Sequence, residues 1–148
     1  MNEPFYEFRV LDEACRFDFL SIGKRNIPKT VIYYKSDNPA VFSLTLASIK
    51  SDGNLDFQTT SNNGDMKIIL ATVVQTLKIF LAAYPKAVVV FTGNSPSRTR
   101  LYNIIISREI EQVKDYLEVM GFAENYVELF VPNRRYEGFI VSLKNSFT

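Results

Sequence analysis

A long run of apolar residues at helical spacing, ended by a proline, constrains this fold more than any other feature. Such a run lines one face of a helix. The apolar positions are Met66, Ile69, Leu70, Val73, Val74, Leu77, Phe80, Leu81 and Tyr84. Asp65 can cap the first turn by accepting its amide hydrogens, and Pro85 cannot continue the helix. Because Lys67, Gln75 and Lys78 interrupt the apolar run, it predicts a buried core helix and not a membrane span.

Before this helix, the sequence alternates between apolar and polar residues and is divided by turn-forming residues. This pattern is typical of antiparallel strands with one buried face. Asp52-Gly53 is a strong hairpin signal, because both residues tolerate the positive φ angles of tight turns. The predicted strands are 5–10, 15–19, 30–35, 41–49 and 55–59, with turns at 26–28, 37–39 and 51–54.

After the helix, the Val-rich run 86–91 predicts a central strand covered on both faces. A second helix is expected from Ser95, with a break near Ser107 and with Ile104–Ile106 as possible strand; Gly121 would cap its far end. The segments 126–131 and 136–143 would form a closing hairpin. The predicted fold is a single α+β domain over 1–148, with an antiparallel sheet of five or more strands and two main helices, in the order βββββ-α-β-α-ββ.

Several chemistries are disfavoured by composition. The chain has no histidine, which removes the commonest general base and most zinc and transition-metal sites, so neither a metal nor a cofactor is expected. Its single cysteine suits a reducing compartment, and the first residues lack a secretory signal, so we expect a cytoplasmic protein. Seventeen Lys and Arg against sixteen Asp and Glu give a net charge of +1, so an anionic partner would need a local basic patch.

One segment, residues 91–102, has features of an anion-binding site. It runs from a buried strand through a Gly93-Asn94 turn into a helix that Ser95 caps. Backbone amides and the helix dipole at such a turn attract anions. Arginine and hydroxyl side chains nearby would complete the pocket. The predicted ligand-binding residues are Gly93, Asn94, Ser95, Ser97, Arg98, Thr99, Arg100 and Tyr102.

A structural interpretation of the same segment stays open. Residues 98 and 100 lie about 200° apart on a helix, so their side chains do not face one ligand unless the first turn is irregular. The segment also lacks the lysine and spacing of a P-loop and the glycine pattern of a dinucleotide fold. In this interpretation the helix simply starts here, and the arginines pair with nearby carboxylates.

Three segments of the chain carry a family resemblance. They are Phe91-Thr92-Gly93-Asn94-Ser95-Pro96-Ser97-Arg98-Thr99-Arg100-Leu101-Tyr102, Ile106-Ser107 and Tyr136-Glu137-Gly138-Phe139. These residues resemble the signature of a family of small bacterial proteins known only as a domain of unknown function. The resemblance is concentrated in residues 88–107 and implies homology over the full length. It implies no activity.

Three classes of function compete on these features. The first is a module that binds a phosphate-bearing ligand at the 93–100 turn, with nucleic acid as one candidate ligand. The candidates for stacking on bases would then be Tyr33, Tyr34, Tyr102, Tyr126 and Tyr136. The second is an enzyme acting on a small phosphorylated metabolite. The third is a protein-interaction module with structural arginines. No membrane partner is expected, and the sequence leaves the oligomeric state open.

Overall fold

The computed structural model describes residues 4–57, 62–92 and 96–144, without the side chains at 96–98, 101 and 110–112. Two compact units are found in the chain. The first comprises the described residues up to Tyr34 together with Leu44–Ala83, and the second comprises Lys35–Ser43 and the described residues from Tyr84 onward. The single-domain assignment stays a prediction.

The described residues form nine strands of a mixed sheet and two α-helices. The strands are β1 (Phe8–Leu11), β2 (Arg16–Ile22), β3 (Asn26–Lys35), β4 (Val41–Ile49), β5 (Leu55–Asp56), β6 (Val88–Thr92), β7 (Leu117–Ala123), β8 (Tyr126–Leu129) and β9 (Gly138–Leu143). The helices are α1 (Met66–Ala83) and α2 (Pro96–Val113), and a short 3-10 turn spans Asp12–Ala14.

The core of the first unit lies between α1 and the sheet. Strands β1, β2 and β3 pair antiparallel, β4 lies beside β3, and β5 pairs with β4. Tyr33 of β3 stacks on Phe80 of α1 with ring centroids 4.1 Å apart, and its hydroxyl lies 2.8 Å from the hydroxyl of Thr76. Leu77 of α1 is 4% exposed. The predicted packing of this helix across the sheet is confirmed.

A buried polar cluster holds the start of α1 against the β2–β3 turn. The hydroxyls of Tyr6 and Ser21 both donate to Oδ2 of Asp65, at 2.6 and 2.5 Å. Asn63 donates to the Ser21 hydroxyl and to the Arg25 carbonyl, at 3.0 and 2.7 Å, and accepts the Arg25 amide. Ser21, Asn63 and Asp65 are all buried. Side-chain hydrogen bonds therefore satisfy the polar groups that this junction buries.

By length and composition α1 is apolar enough to cross a membrane. Half of its residues are nevertheless buried inside the protein. The Thr72 hydroxyl accepts a hydrogen bond from the Tyr6 amide, and the Thr76 hydroxyl is hydrogen-bonded to the Tyr33 hydroxyl. Both properties are expected of a core helix.

In the second unit, the sheet is completed by strands that are far apart in the sequence. The first residues of β4 pair parallel with β6, and β6 pairs antiparallel with β9. Strand β9 then pairs with β7, and β7 with β8, both antiparallel. Val89, Phe139 and Val141 are buried on one side of these strands, and Tyr102 and Ile105 are buried on α2.

The α+β class and the two main helices were predicted correctly, but the sheet was not. It is mixed rather than antiparallel, because β4 and β6 run parallel. Three strands follow α2 instead of two, and β8 and β9 do not form the expected hairpin, since β7 lies between them. The strand predicted at 86–91 is central, as expected, although Val88 and Val90 are half-buried and not fully covered.

Three local predictions were also wrong. Helix α2 continues without a break through Ile104–Ile106 and Ser107 to Val113. The apparent slip in its apolar phase arises because the apolar residues after 116 belong to β7, which also contains Gly121. The turn between β2 and β3 lies at residues 23–25, and Pro28 is inside β3 opposite Leu20.

We expect Leu77→Ala to lower the free energy of unfolding by about 2–5 kcal/mol, because it leaves a cavity between α1 and the sheet. Urea denaturation measures the loss. The matched control is Ile79→Ala on the same helix, since Ile79 is 38% exposed and should cost less than about 1 kcal/mol. Equal losses in the two variants would contradict the packing described for α1.

We expect Ser21→Ala to cost about 1–3 kcal/mol, because it removes a donor to buried Asp65 and an acceptor for buried Asn63. The control is Ser43→Ala on β4, whose side chain is exposed and should have almost no effect. Thermal or urea unfolding compares the two. If the losses are the same, the polar cluster does not hold α1 in place.

Candidate functional site

The predicted site begins where β6 ends and α2 starts. Thr92 is the last residue of β6 and Pro96 the first residue of α2. Gly93, Asn94 and Ser95 lie outside the described residues. The backbone of residues 97 and 98 belongs to α2, while the side chains of Ser97 and Arg98 are outside the described part.

The remaining site residues point in different directions from α2. Thr99 is half-buried and Arg100 is exposed. Tyr102 is only 9% exposed, and its ring lies 6.1 Å from the ring of Phe91 on β6. Arg100, Ile104 and Arg108 are all exposed at a spacing of four residues, so they form one stripe on the solvent side of the helix. Of the predicted residues with described side chains, Arg100 is the one available to an outside ligand.

An aromatic cluster joins the segment 91–102 to the segment 136–139. Phe91 lies between Tyr102 of α2 and Phe139 of β9, and its ring centroid is 5.3 Å from that of Phe139. Phe139 in turn contacts Tyr136 and Phe130, with centroids 6.0 and 6.2 Å apart. Tyr102 and Tyr136 therefore pack inside the second unit and do not offer open faces for stacking on bases.

Buried Asn103 connects α2 to the loop 131–137. Its side-chain amide donates to the carbonyl oxygen of Arg134 at 2.6 Å. Residues three apart on a helix are neighbours, so Arg100 lies next to Asn103 on the surface of α2. The hydrogen bond thus places the loop backbone at Arg134 beside the turn of α2 that carries Arg100.

The loop 131–137 is held by the hydroxyl of Tyr136. This hydroxyl donates to Oε2 of Glu128 at 2.7 Å and accepts the amide hydrogen of Val131 at 2.9 Å. Burial and the hydrogen bond to the Glu128 carboxylate raise the pKa of Tyr136 above its ordinary value, although the Val131 amide works against this. Tyr136 therefore stays protonated at neutral pH and serves as a donor.

The two arginines of the loop have different partners. Arg134 forms an ion pair with Glu128, with Nε 3.1 Å from Oε2, and its guanidinium carbon lies 5.7 Å from the ring centroid of Tyr126. The backbone carbonyl of Arg135 accepts a hydrogen bond from the Tyr126 hydroxyl, while its side chain is exposed. Neither Arg135 nor Arg100 forms an ion pair with another described residue. These two guanidinium groups leave the surface locally positive.

Two residues that organise this surface, Asn103 and Glu128, were not predicted from the sequence. A signal for Asn103 exists, because asparagine is unfavourable inside a helix and here lies between Tyr102 and Ile105 on the buried side. Glu128 carries no such signal, since it stands in an alternating strand pattern where a charged residue is ordinarily solvated. Within the described ranges, no group of three or more Cys, Asp or Glu side chains is arranged to hold a metal ion.

Comparison with known proteins gives one match. No curated protein and no solved structure shows significant similarity to the chain. A family model, described as a family of unknown function, matches residues 2–144. The match confirms that the chain belongs to a family without an assigned activity, whereas the proposed signature and the bacterial origin stay predictions. The chain is a member of the DUF6934 family of unknown function.

Proposed function

We propose that the protein is a binding module for an anionic, phosphate-bearing ligand. The ligand contacts the segment 93–100 and the adjoining loop 131–137. The observation that carries this proposal is the hydrogen bond from Asn103 to the Arg134 carbonyl, which brings the loop next to the turn of α2 that carries Arg100. Without it, Arg100 and Arg135 would be two unrelated surface charges.

The charges at this surface favour an anion. Arg134 is largely neutralised by Glu128, but Arg100 and Arg135 have no ion-pair partner among the described residues. Guanidinium groups bind phosphate with two parallel hydrogen bonds, which makes such contacts strong and directional. The first amides of α2 add partial positive charge at the start of the helix that carries Arg100. Because the net charge of the chain is only +1, this attraction is local.

The surrounding groups favour binding over catalysis and phosphate over bases. Glu128 is committed to Tyr136 and Arg134, and Tyr136 is held as a proton donor, so neither is free to act as a general base. The rings of Tyr33, Tyr102 and Tyr136 are buried, which removes three of the five tyrosines considered for base stacking. A small phosphorylated molecule fits these features better than a nucleic-acid strand.

We expect inorganic phosphate to raise the melting temperature of the protein, since it binds the native state preferentially. In Arg100→Ala and in Arg135→Ala the affinity for phosphate should fall about tenfold, the usual effect of losing one charge-assisted hydrogen bond. Thermal unfolding over a phosphate series at constant ionic strength, balanced with chloride, measures this. Arg98→Ala extends the test to the part of the segment whose side chains are not described.

The control is Lys86→Ala, which also removes one exposed positive charge but lies before β6, at the opposite end of that strand from α2. Its phosphate response should match that of the parent. If Arg100→Ala and Arg135→Ala also respond like the parent, the proposed surface does not bind phosphate. A short single-stranded oligonucleotide is the second probe, and tighter binding of it than of phosphate would favour the nucleic-acid alternative.

A further inference from the structure

Strand β8 exposes a stripe of apolar side chains at the end of the strand order. It pairs with β7 on one side, and no described strand pairs with its other side. Val127, Leu129 and Val131 are 58%, 62% and 43% exposed. Val127 and Leu129 alternate with residues 126, 128 and 130, which are half-buried, so both lie on one face, and Val131 follows just beyond the end of the strand.

The backbone of the strand is open at the same residues. The amide of Phe130 donates to the carbonyl of Val119 on β7 at 3.0 Å, in the register of the β7–β8 pair. In an antiparallel ladder, hydrogen-bonded and non-bonded positions alternate, so the amides and carbonyls of Val127 and Leu129 point away from β7. No described residue forms a hydrogen bond with either of them.

Natural edge strands are usually protected against pairing by charged side chains on the edge. The single charged residue of β8, Glu128, points to the other face, where it bonds to Tyr136 and Arg134. The open edge therefore carries apolar side chains only. Met120 and Phe122 of β7, which lie opposite Leu129 and Val127, are half-buried and extend this apolar surface inward.

We propose that β8 pairs antiparallel with β8 of a second copy of the chain, about a twofold axis that passes by Leu129. A twofold interface requires a self-complementary surface. The sequence Val-Glu-Leu-Phe-Val meets this requirement, because Leu129 then lies opposite Leu129 of the partner subunit and Val127 lies opposite Val131 of the partner subunit. The Val131 amide of each copy already donates to the Tyr136 hydroxyl and is therefore not available to the partner strand. About four backbone hydrogen bonds then form between the two strands.

The charges at the ends of β8 are complementary in this register. The β7–β8 turn of one copy carries exposed Glu124, which comes beside Arg134 of the partner subunit. The Arg134 side chain is 53% exposed, so its remaining donors are available beyond the bond to Glu128. A register shifted to centre on Glu128 would instead place that carboxylate opposite its own copy, and like charges in that position are unfavourable.

Sedimentation of the full chain over a concentration series tests the proposal, and we expect a dimer. Leu129→Lys places two ammonium groups opposite each other at the axis and should weaken the dimer about a hundredfold. The control is Val10→Lys on β1, which adds the same charge at a residue that is 48% exposed on another strand. Mixing Leu129→Lys with Leu129→Glu should restore a dimer, because opposite charges then face each other.

A covalent test fixes the register and does not depend on how a charge affects folding. In a hydrogen-bonded antiparallel pair the Cα atoms lie about 5.5 Å apart, which suits a disulfide. Mild oxidation of Leu129→Cys should give a covalent dimer, whereas Val10→Cys should not exceed the background from native Cys15. If the parent chain is monomeric at every concentration, the proposal is wrong, and the open edge of β8 would then be a site for a strand of another protein. A dimer that tolerates Leu129→Lys would overturn it as well.

Discussion

The ring of Tyr136 lies directly over Gly121, and the arrangement of the second unit depends on this contact. A Cβ atom at residue 121 would lie 2.5 Å from the ring carbons, so only glycine allows the ring to reach β7. From this position the Tyr136 hydroxyl reaches Glu128 and the Val131 amide, which holds the loop 131–137. The same ring packs on Phe139, which extends the aromatic cluster toward α2. One glycine in a strand thus sets both the course of the loop and the polar network on β8.

The sequence predicts elements well where one local pattern decides them. The apolar spacing of α1 and the alternation of β4 gave bounds within one residue of those observed. Gly121 was wrongly predicted as a helix cap, because a glycine after an apolar run resembles one. Here a glycine is required by the aromatic ring of Tyr136 from the loop 131–137. Pro28 was wrongly predicted in a turn, because proline is common in turns. The turn lies at residues 23–25 instead, and residue 23 is a glycine because the Asn63 carbonyl occupies the space that a Cβ would need. The parallel pairing of β4 with β6 also depends on contacts between distant segments.

Contacts between distant segments also limit how much of the candidate site the sequence can predict. Helical geometry on its own predicts that Arg98 and Arg100 face different ways. Of these two, the side chain of Arg100 is described and is exposed, while Tyr102 packs on Phe91. Which segment lies beside α2 is decided by the bond between Asn103 and the Arg134 carbonyl, and no periodic pattern encodes a bond of this kind. The resemblance rests on residues 91–102 and 136–139, and it did not predict that rings from these two segments pack in one aromatic cluster.

The two proposed surfaces of the second unit depend on the same carboxylate. Glu128 turns toward Arg134 and Tyr136, and this orientation leaves only apolar side chains on the open edge of β8. The ion pair with Glu128 also neutralises Arg134, so the positive charge of the proposed anion site comes from Arg100 and Arg135. If Glu128 faced the edge instead, β8 would be protected against pairing and Arg134 would join the basic surface. One half-buried hydrogen-bond network therefore separates the apolar surface proposed for a second copy from the basic surface proposed for a phosphate group.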